Sequence, residues 1–331
     1  MSGVGGPWTR WVALWSSRER GTSLALFRIA IALVSLHTVV DAWHSGVETW
    51  VWVDASEGGV TRVVKSHWLV ELLGGASLET TWTLMGLAVG GCVSLLLGVG
   101  HRLGALVALQ ALLAIFSFNP ASGGGHDRLI TNALWLLVLA PASETLSVWC
   151  RLRSGRWTSD RPVLAYVRYL GVIQLVVMYS MTGMQKLGSA WFPWGDLSAV
   201  YRSLLMPSWA RGDWSAVAWV YPLTQVATVV TWLWETSWPL MLYAMWARRT
   251  RTRPGRLRAL CNRLDVRTIY VLVGILMHGT VEIFMNVGPF SIITMAWYLC
   301  CYHPDEMHRF GGGVARRLRE WTSRSRGMHH V

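Results

Sequence analysis

Charged side chains are scarce in this sequence. They make up 15% of its 331 residues, whereas a soluble domain carries roughly 25%. Apolar runs of about 20 residues, the length that crosses the hydrocarbon of a bilayer, recur along the whole chain. This combination excludes an ordinary soluble domain. It predicts an all-α fold, a polytopic bundle of transmembrane helices integral to the membrane.

The apolar runs predict about eight transmembrane helices in a single membrane domain. The first run is not followed by a small-residue cleavage site, which indicates a retained span rather than a signal peptide. We find no internal repeat and expect no soluble domain at either end. The predicted spans are 22–43, 80–99, 103–118, 127–147, 163–187, 217–247, 268–287 and 289–302.

Lysine is almost absent: two of the 30 basic residues are lysines and 28 are arginines. With a cytoplasmic N-terminus, 22 basic residues fall in cytoplasmic segments, four in external segments and four within spans. This asymmetry follows the positive-inside rule, so the net charge of +12 reflects topology and anionic lipid rather than nucleic acid. We therefore predict a protein of the cell (inner) membrane with both termini cytoplasmic. Its predicted parts are a cytoplasmic segment 1–21, a transmembrane domain 22–305 and a basic cytoplasmic tail 306–331.

Cysteine is also rare, with five residues, none in a predicted external loop and none in a C-x-x-C motif. No disulfide framework or zinc site is expected from this pattern. The sequence also lacks the histidine boxes of membrane di-iron enzymes, H-E-x-x-H, G-x-S-x-G and a phosphate-binding glycine loop. His126, Glu235, His278 and Glu282 have side chains that bind metals, but their spacing supports no metal site. We predict none.

One of the two lysines, Lys186, ends the fifth predicted span in the stretch YSMTGMQKLGSAW. Ionisable groups inside membrane spans are costly and are therefore candidates for function. Helical periodicity places Tyr179, Gly183 and Lys186 on one face, where the small glycine would leave room beside the amine for a flat ligand. Burial disfavours the ammonium form of lysine, so a neutral amine at this position would be available to remove a proton.

Other ionisable residues are predicted in the external half or the middle of the bundle. His278 and Glu282 share a helical face at positions i and i+4, and Glu235 lies deep in its span, where a carboxylate needs a partner or a proton. Together these groups could line one cavity that opens to the external side. The full set is His37, Asp41, His126, Lys186, Glu235, His278 and Glu282.

Simpler interpretations remain open for several of these residues. A lysine in the last turn of a span often extends to the headgroups and complements the helix dipole. His126 is also consistent with a polar residue beside a helix cap, and His278 with a structural pair to Glu282. The tryptophans of the external segment 188–216 fit an interfacial belt or, alternatively, a lid over a substrate.

Three ordered segments resemble a known family. YSMTGMQKLGSAW is similar to the segment of vitamin K-dependent gamma-carboxylases, and of the wider HTTM family of bacterial membrane proteins, that carries the catalytic lysine; Lys186 falls on that lysine. In NPASGGGHDRLITNALWLLVLAP, His126 matches the histidine that accompanies this lysine, and in MHGTVEIFMNVGPFSIITMAWYLCCYHP, His278 matches a later histidine. Glu235, in LWETSWPLML, resembles a recurrent acidic residue of bacterial members. The resemblance covers roughly residues 20–305.

The resemblance implies a membrane enzyme in which Lys186, His126 and His278 are catalytic. Tyr179, Gly183, Glu235 and Glu282 would line the cofactor cavity. The implied cofactor is vitamin K hydroquinone or menaquinol, with O₂ and CO₂ as co-substrates for epoxidation and for carboxylation of a peptide glutamate.

Two differences from the carboxylases bear on this expectation. Gly125 stands where the carboxylases have an asparagine, and the sequence ends soon after the last predicted span, whereas the animal enzyme continues into a luminal domain that recognises propeptides. We therefore expect quinone epoxidation alone or modification of a different peptide. A maturation factor for a secreted peptide, similar to the sporulation-delaying-protein B type, and a non-enzymatic lipid-binding membrane subunit are the alternatives. The sequence leaves the oligomeric state undetermined.

Overall fold

The computed structural model describes residues 6–100, 102–311 and 313. The described residues are mostly helical, at 70%, and contain one two-stranded sheet, which confirms the predicted all-α membrane fold. The sheet pairs β1 (Arg18–Arg20) with β2 (Pro162–Leu164) in antiparallel register. The α-helices whose two ends both lie within the described residues are α1 (Pro7–Trp15), α2 (Thr22–Ser45), α3 (Trp68–Leu72), α4 (Leu78–Leu97), α5 (Arg102–Phe118), α6 (Gly125–Leu139), α7 (Val148–Ser154), α8 (Tyr166–Met184), α9 (Ala199–Leu205), α10 (Tyr221–Thr236), α11 (Pro239–Arg249), α12 (Arg256–Leu264), α13 (Val266–Phe284) and α14 (Phe290–Trp297).

Five helical segments of the described residues are long and apolar enough to cross a membrane by length and composition. They are Thr22–Ser45, Leu78–Leu97, Tyr166–Met184, Ser215–Thr236 and Val266–Phe284. Two further predicted spans correspond to the shorter apolar helices Arg102–Phe118 and Phe290–Cys301. These lengths support a helical membrane protein without supporting the predicted count of eight spans.

Two predicted spans are longer than the helices that form. The span predicted at 127–147 ends as α6 at Leu139, shortly before Pro141. The span predicted at 217–247 is broken into α10 and α11, with Pro239 at the first position of the second helix. Proline has no backbone N–H and its ring clashes with the preceding turn, so it begins a helix readily and interrupts one elsewhere.

The core lies where α2, α4 and α5 pack together. Glycine permits the closest approach, because a Cβ at Gly91 of α4 would lie 2.5 Å from the backbone nitrogen of Ala108 in α5. Small residues at helix contacts let backbones approach and increase van der Waals contact within a bilayer. This half of the bundle packs against α6, α8 and α14, which carry or adjoin the polar residues.

One end of the bundle is held together by buried and partly buried ion pairs. Arg168, at the start of α8, donates hydrogen bonds of 2.8 and 2.7 Å to the two carboxylate oxygens of Glu19 in β1. Glu306 accepts hydrogen bonds from Arg248 at the end of α11 and from Arg267 at the start of α13. We call this end, which also carries β1 and β2, the arginine-rich end. Lys186 and the segment 188–216 lie at the opposite end of α8.

Candidate functional site

Lys186 is paired with Glu235. Helix α8 ends at Met184, and the backbone N–H of Lys186 still donates to the carbonyl of Gly183 at 3.3 Å. The Lys186 ammonium donates a hydrogen bond to Oε2 of Glu235 near the end of α10. The side chains are 17% and 7% exposed, respectively. The lysine therefore turns toward a carboxylate inside the protein instead of extending along the helix end to the headgroups.

An aromatic ring covers the same amine. The Nζ atom of Lys186 lies 4.2 Å from the ring centroid of Trp191, in the segment that follows α8. A cation over a tryptophan face is stabilised by the quadrupole of the ring. By contrast, Trp194 in the same segment is 80% exposed. Trp191 thus fits the interpretation as a lid, whereas Trp194 fits an interfacial belt.

The expected role of Gly183 as open space beside the amine is wrong. A Cβ at this position would lie 2.8 Å from the backbone nitrogen of Thr236 and 2.9 Å from Cβ of Glu235. Helix α10 therefore occupies the space that the glycine leaves. Gly183 instead allows α8 and α10 to approach closely enough for Lys186 to meet Glu235.

Tyr179 joins two further buried polar residues. Its hydroxyl lies 2.7 Å from Nε2 of His278 and 2.5 Å from the hydroxyl of Tyr298. His278 is 2% exposed, and its second ring nitrogen, Nδ1, is buried without a hydrogen-bond partner among the described residues. Three helical segments, α8, α13 and the end of α14, are thereby connected by a short chain of hydrogen bonds.

Indole rings bring this hydrogen-bonded chain next to the ion pair. Trp238 is fully buried at the break between α10 and α11 and stacks on Tyr179 with ring centroids 4.6 Å apart. Trp234 contacts Tyr179 edge-on at 4.4 Å and lies one residue before Glu235. We call Tyr179, Lys186, Glu235, His278 and Tyr298 the central cluster.

His126 lies near the central cluster but is not part of it. Its Nε2 is 3.1 Å from a carboxylate oxygen of Asp127, and both residues line a small cavity with Trp52 and Asn119. Phe290 lies between His278 and the start of α6: its ring centroid is 5.7 Å from that of His278, and its ring edge packs against Gly125. Phe290 thus contacts one sequence-predicted histidine and the residue that precedes the other.

Three other candidates face away from the central cluster. Glu282 accepts a hydrogen bond of 3.1 Å from Arg211, which also donates to the carbonyl of Met285. This contact fastens segment 188–216 to α13 and makes no pair between Glu282 and His278. His37 and Asp41 are exposed on the outer surface of α2, so the prediction that they line a shared cavity is wrong.

Sequence reasoning missed Tyr298 and Trp238. Tyr298 follows the apolar run of α14 in AWYLCC, and Trp238 precedes Pro239. A buried phenol or indole usually finds a hydrogen-bond partner, so a tyrosine within a predicted span was an available signal. Trp238 carried no such signal, because its position depends on where α10 ends.

The possible metal ligands are dispersed. Among the described residues, no group of three or more histidine, cysteine, aspartate or glutamate side chains is placed to hold a metal ion. The five cysteines are buried free thiols.

The fold and the site define a helical membrane protein that buries a lysine–glutamate pair beside hydrogen-bonded tyrosine and histidine side chains. The family model of the HTTM domain matches residues 17–253, and the chain belongs to the HTTM family. The HTTM domain is the transmembrane part of vitamin K-dependent gamma-carboxylase-like proteins. The matched region includes His126, Lys186 and Glu235, while His278 lies beyond it. No curated protein and no solved structure matches the chain.

Proposed function

We propose that this protein is a membrane enzyme of the vitamin K-dependent carboxylase-like type, which uses a quinol and O₂ for epoxidation. Carboxylation of a peptide glutamate with CO₂ would be a second activity. The observation that carries the proposal is the Lys186–Glu235 pair, set against the hydrogen-bonded residues Tyr179 and His278. Lys186 is assigned the role of the base.

The ion pair bears on both protonation states of Lys186, the neutral amine that accepts a proton and the ammonium that results. When its amine is neutral, Lys186 accepts a proton from a substrate hydroxyl, and the ammonium that forms is stabilised at once by the carboxylate of Glu235. Opposite charges 4 Å apart attract by about 4 kcal/mol at an effective dielectric of 20. Glu235 therefore favours proton uptake and holds the amine in place, which makes it a positioning residue for the base.

The residues around Lys186 fit a quinol. The Lys186 side chain is partly exposed, and its amine lies over the flat ring of Trp191, against which a planar ligand can stack. The unpartnered Nδ1 of His278 offers a further polar contact, since a buried ring nitrogen without a partner is costly. When bound, the quinol would supply an acidic hydroxyl and reducing equivalents. Lys186, Trp191 and His278 are the residues proposed to hold it.

His126 is proposed to act from the other side of Phe290. Its contact with Asp127 orients the imidazole, and the adjoining cavity reaches Trp52 and Asn119. A histidine held in this way is placed to donate or accept a proton. We assign it to the end of the site where a peptide or water would approach.

We further propose the orientation of the chain in the cell (inner) membrane. All eight predicted segments would cross it, with the arginine-rich end and both termini cytoplasmic and the Lys186 end external, in agreement with the distribution of arginine. Leu187 and Thr252, the latter between α11 and α12, are both exposed and lie at opposite ends, so they form a pair of probes. An impermeant maleimide should label Leu187→Cys in intact cells and Thr252→Cys only after permeabilisation; the reverse labelling would refute the orientation.

The activity is tested with the purified chain in lipid nanodiscs. Menaquinol or phylloquinol is added, and oxygen consumption and quinone epoxide are measured. We expect Lys186→Ala to abolish epoxide formation and Glu235→Gln to reduce it strongly. Lys65→Ala, which removes the other lysine of the chain, is the matched control and should retain full activity.

Two outcomes would contradict the proposal. Absence of quinol-dependent oxygen consumption by the folded wild-type protein would remove the quinol from the reaction. Equal activity of Lys186→Ala and Lys65→Ala would refute the assignment of Lys186 as the base. Carboxylation is tested separately, by incorporation of labelled CO₂ into an added glutamate-containing peptide.

A further inference from the structure

Three short helices outside the candidate spans expose apolar side chains. In α12, Leu257, Leu260 and Leu264 are all more than half exposed and occupy one helical face. Helix α1 exposes Trp8 and Trp11 in the same way. These helices contain nine residues each, so they are about 14 Å long and far too short to cross a bilayer.

The third helix, α7, continues the pattern. Leu152 in α7 and Trp157 just after it are 76% and 54% exposed, respectively, and the helix has seven residues. Side chains of this kind are unfavourable in water when they are clustered. Each of the three helices therefore has a surface that the described protein leaves uncovered.

All three helices lie at the arginine-rich end. The pairing of β1 with β2 brings the residues that follow α1 next to those that follow α7. Helix α12 follows α11, whose last residues include Arg249, and Arg249 donates a hydrogen bond of 2.8 Å to the hydroxyl of Tyr169 at the start of α8. Trp15 of α1 contacts the ring of the same tyrosine. Tyr169 of α8 thus contacts both the region of α1 and the end of α11 that leads into α12.

This end also carries positive charge that the protein does not neutralise. Several arginines here make no ion pair with a carboxylate of the described residues, in contrast to Arg168, Arg248 and Arg267. The unpaired ones that flank the three helices are Arg10, Arg156, Arg251, Arg256 and Arg263. Apolar side chains interleaved with arginine are typical of helices that lie in the plane of a membrane interface.

We propose that α1, α7 and α12 form an anionic-lipid-binding surface on the arginine-rich end. The exposed leucines and tryptophans would lie at the boundary of the acyl chains, and the flanking arginines would bind the phosphates of anionic headgroups. A nucleic acid would neutralise the arginines but would leave the leucine face of α12 in water. A lipid surface satisfies both features and is already next to this end of the spans.

The proposal is tested by lipid preference. The protein is reconstituted in nanodiscs of phosphatidylcholine with phosphatidylglycerol, and the bound lipids are counted by native mass spectrometry. Each arginine near an anionic surface contributes about a fivefold preference, so Arg256→Gln combined with Arg263→Gln should lower the preference for phosphatidylglycerol on the order of 25-fold. The double variant Arg62→Gln with Lys65→Gln removes the same charge at the opposite end and should leave the preference unchanged.

A second measurement covers the apolar face. Because the native cysteines are buried, Leu257→Cys or Leu152→Cys can carry a single environment-sensitive fluorophore. We expect quenching by nitroxides attached near lipid headgroups and protection from aqueous iodide. Three results would each overturn the proposal. The fluorophore could be quenched by iodide alone, the two double variants could lose phosphatidylglycerol equally, or RNA could displace phosphatidylglycerol.

Discussion

Removing Lys186 should leave the carboxylate of Glu235 buried without its cation. The side chain of Glu235 is 7% exposed, while that of Lys186 is 17% exposed. Loss of one partner from a buried ion pair costs about 3–5 kcal/mol. Because solvent reaches Lys186 in part, we expect Lys186→Met to lower the free energy of unfolding by about 3 kcal/mol, at the low end of this range.

The double variant separates this ion pair from the packing around it. Lys186→Met with Glu235→Gln removes both charges, so its cost should be smaller than the sum of the two single costs. The attraction of about 4 kcal/mol at an effective dielectric of 20 is reduced by the partial exposure of the lysine. We expect a coupling free energy of about 2 kcal/mol, within the usual range for residues in contact.

The coupling is measured by unfolding the four proteins of the cycle in mixed micelles and following tryptophan fluorescence. The exposed pair Arg202–Asp196, with side chains 68% and 47% exposed, is the matched control. Its coupling should be about 0.2–1 kcal/mol. Additivity of the Lys186 and Glu235 variants to within about 0.5 kcal/mol would refute the pairing, and with it the assignment of Glu235 as the residue that positions the base.

Three further predictions concern packing and pH. Gly183→Ala places a Cβ 2.8 Å from the backbone of Thr236, so we expect a loss of about 1–3 kcal/mol in unfolding free energy together with reduced quinol-dependent activity. Gly98→Ala should destabilise the chain in unfolding measurements by a similar amount, because φ is +68° at this position and its Cβ would collide with the guanidinium of Arg28. Partial burial raises the pKa of Glu306, but the hydrogen bonds from Arg267 and other donors outweigh burial and lower the pKa from 4.5 to about 2. This contribution to stability is complete above pH 4.5 and is lost as the pH falls through 2, so a pH series of unfolding should show a steeper loss for wild type than for Glu306→Gln.

The two glycine predictions have controls within the chain. Gly279→Ala, where a Cβ would meet nothing within 4 Å, should be neutral in both stability and activity. Gly188→Ala, at a position with the same open surroundings, is the control for Gly98→Ala. A large effect at either control, or no effect at Gly183 or Gly98, would contradict the packing argument. Parallel pH profiles for wild type and Glu306→Gln would contradict the role of Glu306.

The sequence predicts the membrane class well, because apolar length and scarce charge depend on composition alone. It predicts helix ends less well: Pro141 and Pro239 stop predicted spans that hydropathy alone would extend through them. It also identifies Tyr179, Lys186, Glu235 and His278 as separate candidates, because a polar group in an apolar helix is conspicuous. Which of them are neighbours depends on how the helices pack, and that information is not local to any segment.

Gly183 illustrates the difference between the helical face of a residue, which spacing predicts, and its packing neighbour, which spacing does not. Its spacing from Tyr179 and Lys186 places all three on one helical face. In the structure, Tyr179 and Lys186 both contact buried polar partners from this face. The same spacing cannot tell whether the space beside a glycine holds a ligand or another helix. Here it holds α10, and the identity of that neighbour decides the chemistry of the lysine.

The break between α10 and α11 lies beside the central cluster. Because Pro239 begins α11, α10 ends at Thr236, and Trp238 stacks on Tyr179 between the two helices. Residues 235 and 238 are three apart, so a continuous helix would also place them on one face. In the structure Glu235 meets Lys186 while Trp238 covers the neighbouring tyrosine. The proline therefore shortens the predicted span without separating the acid from the indole, and both still face α8.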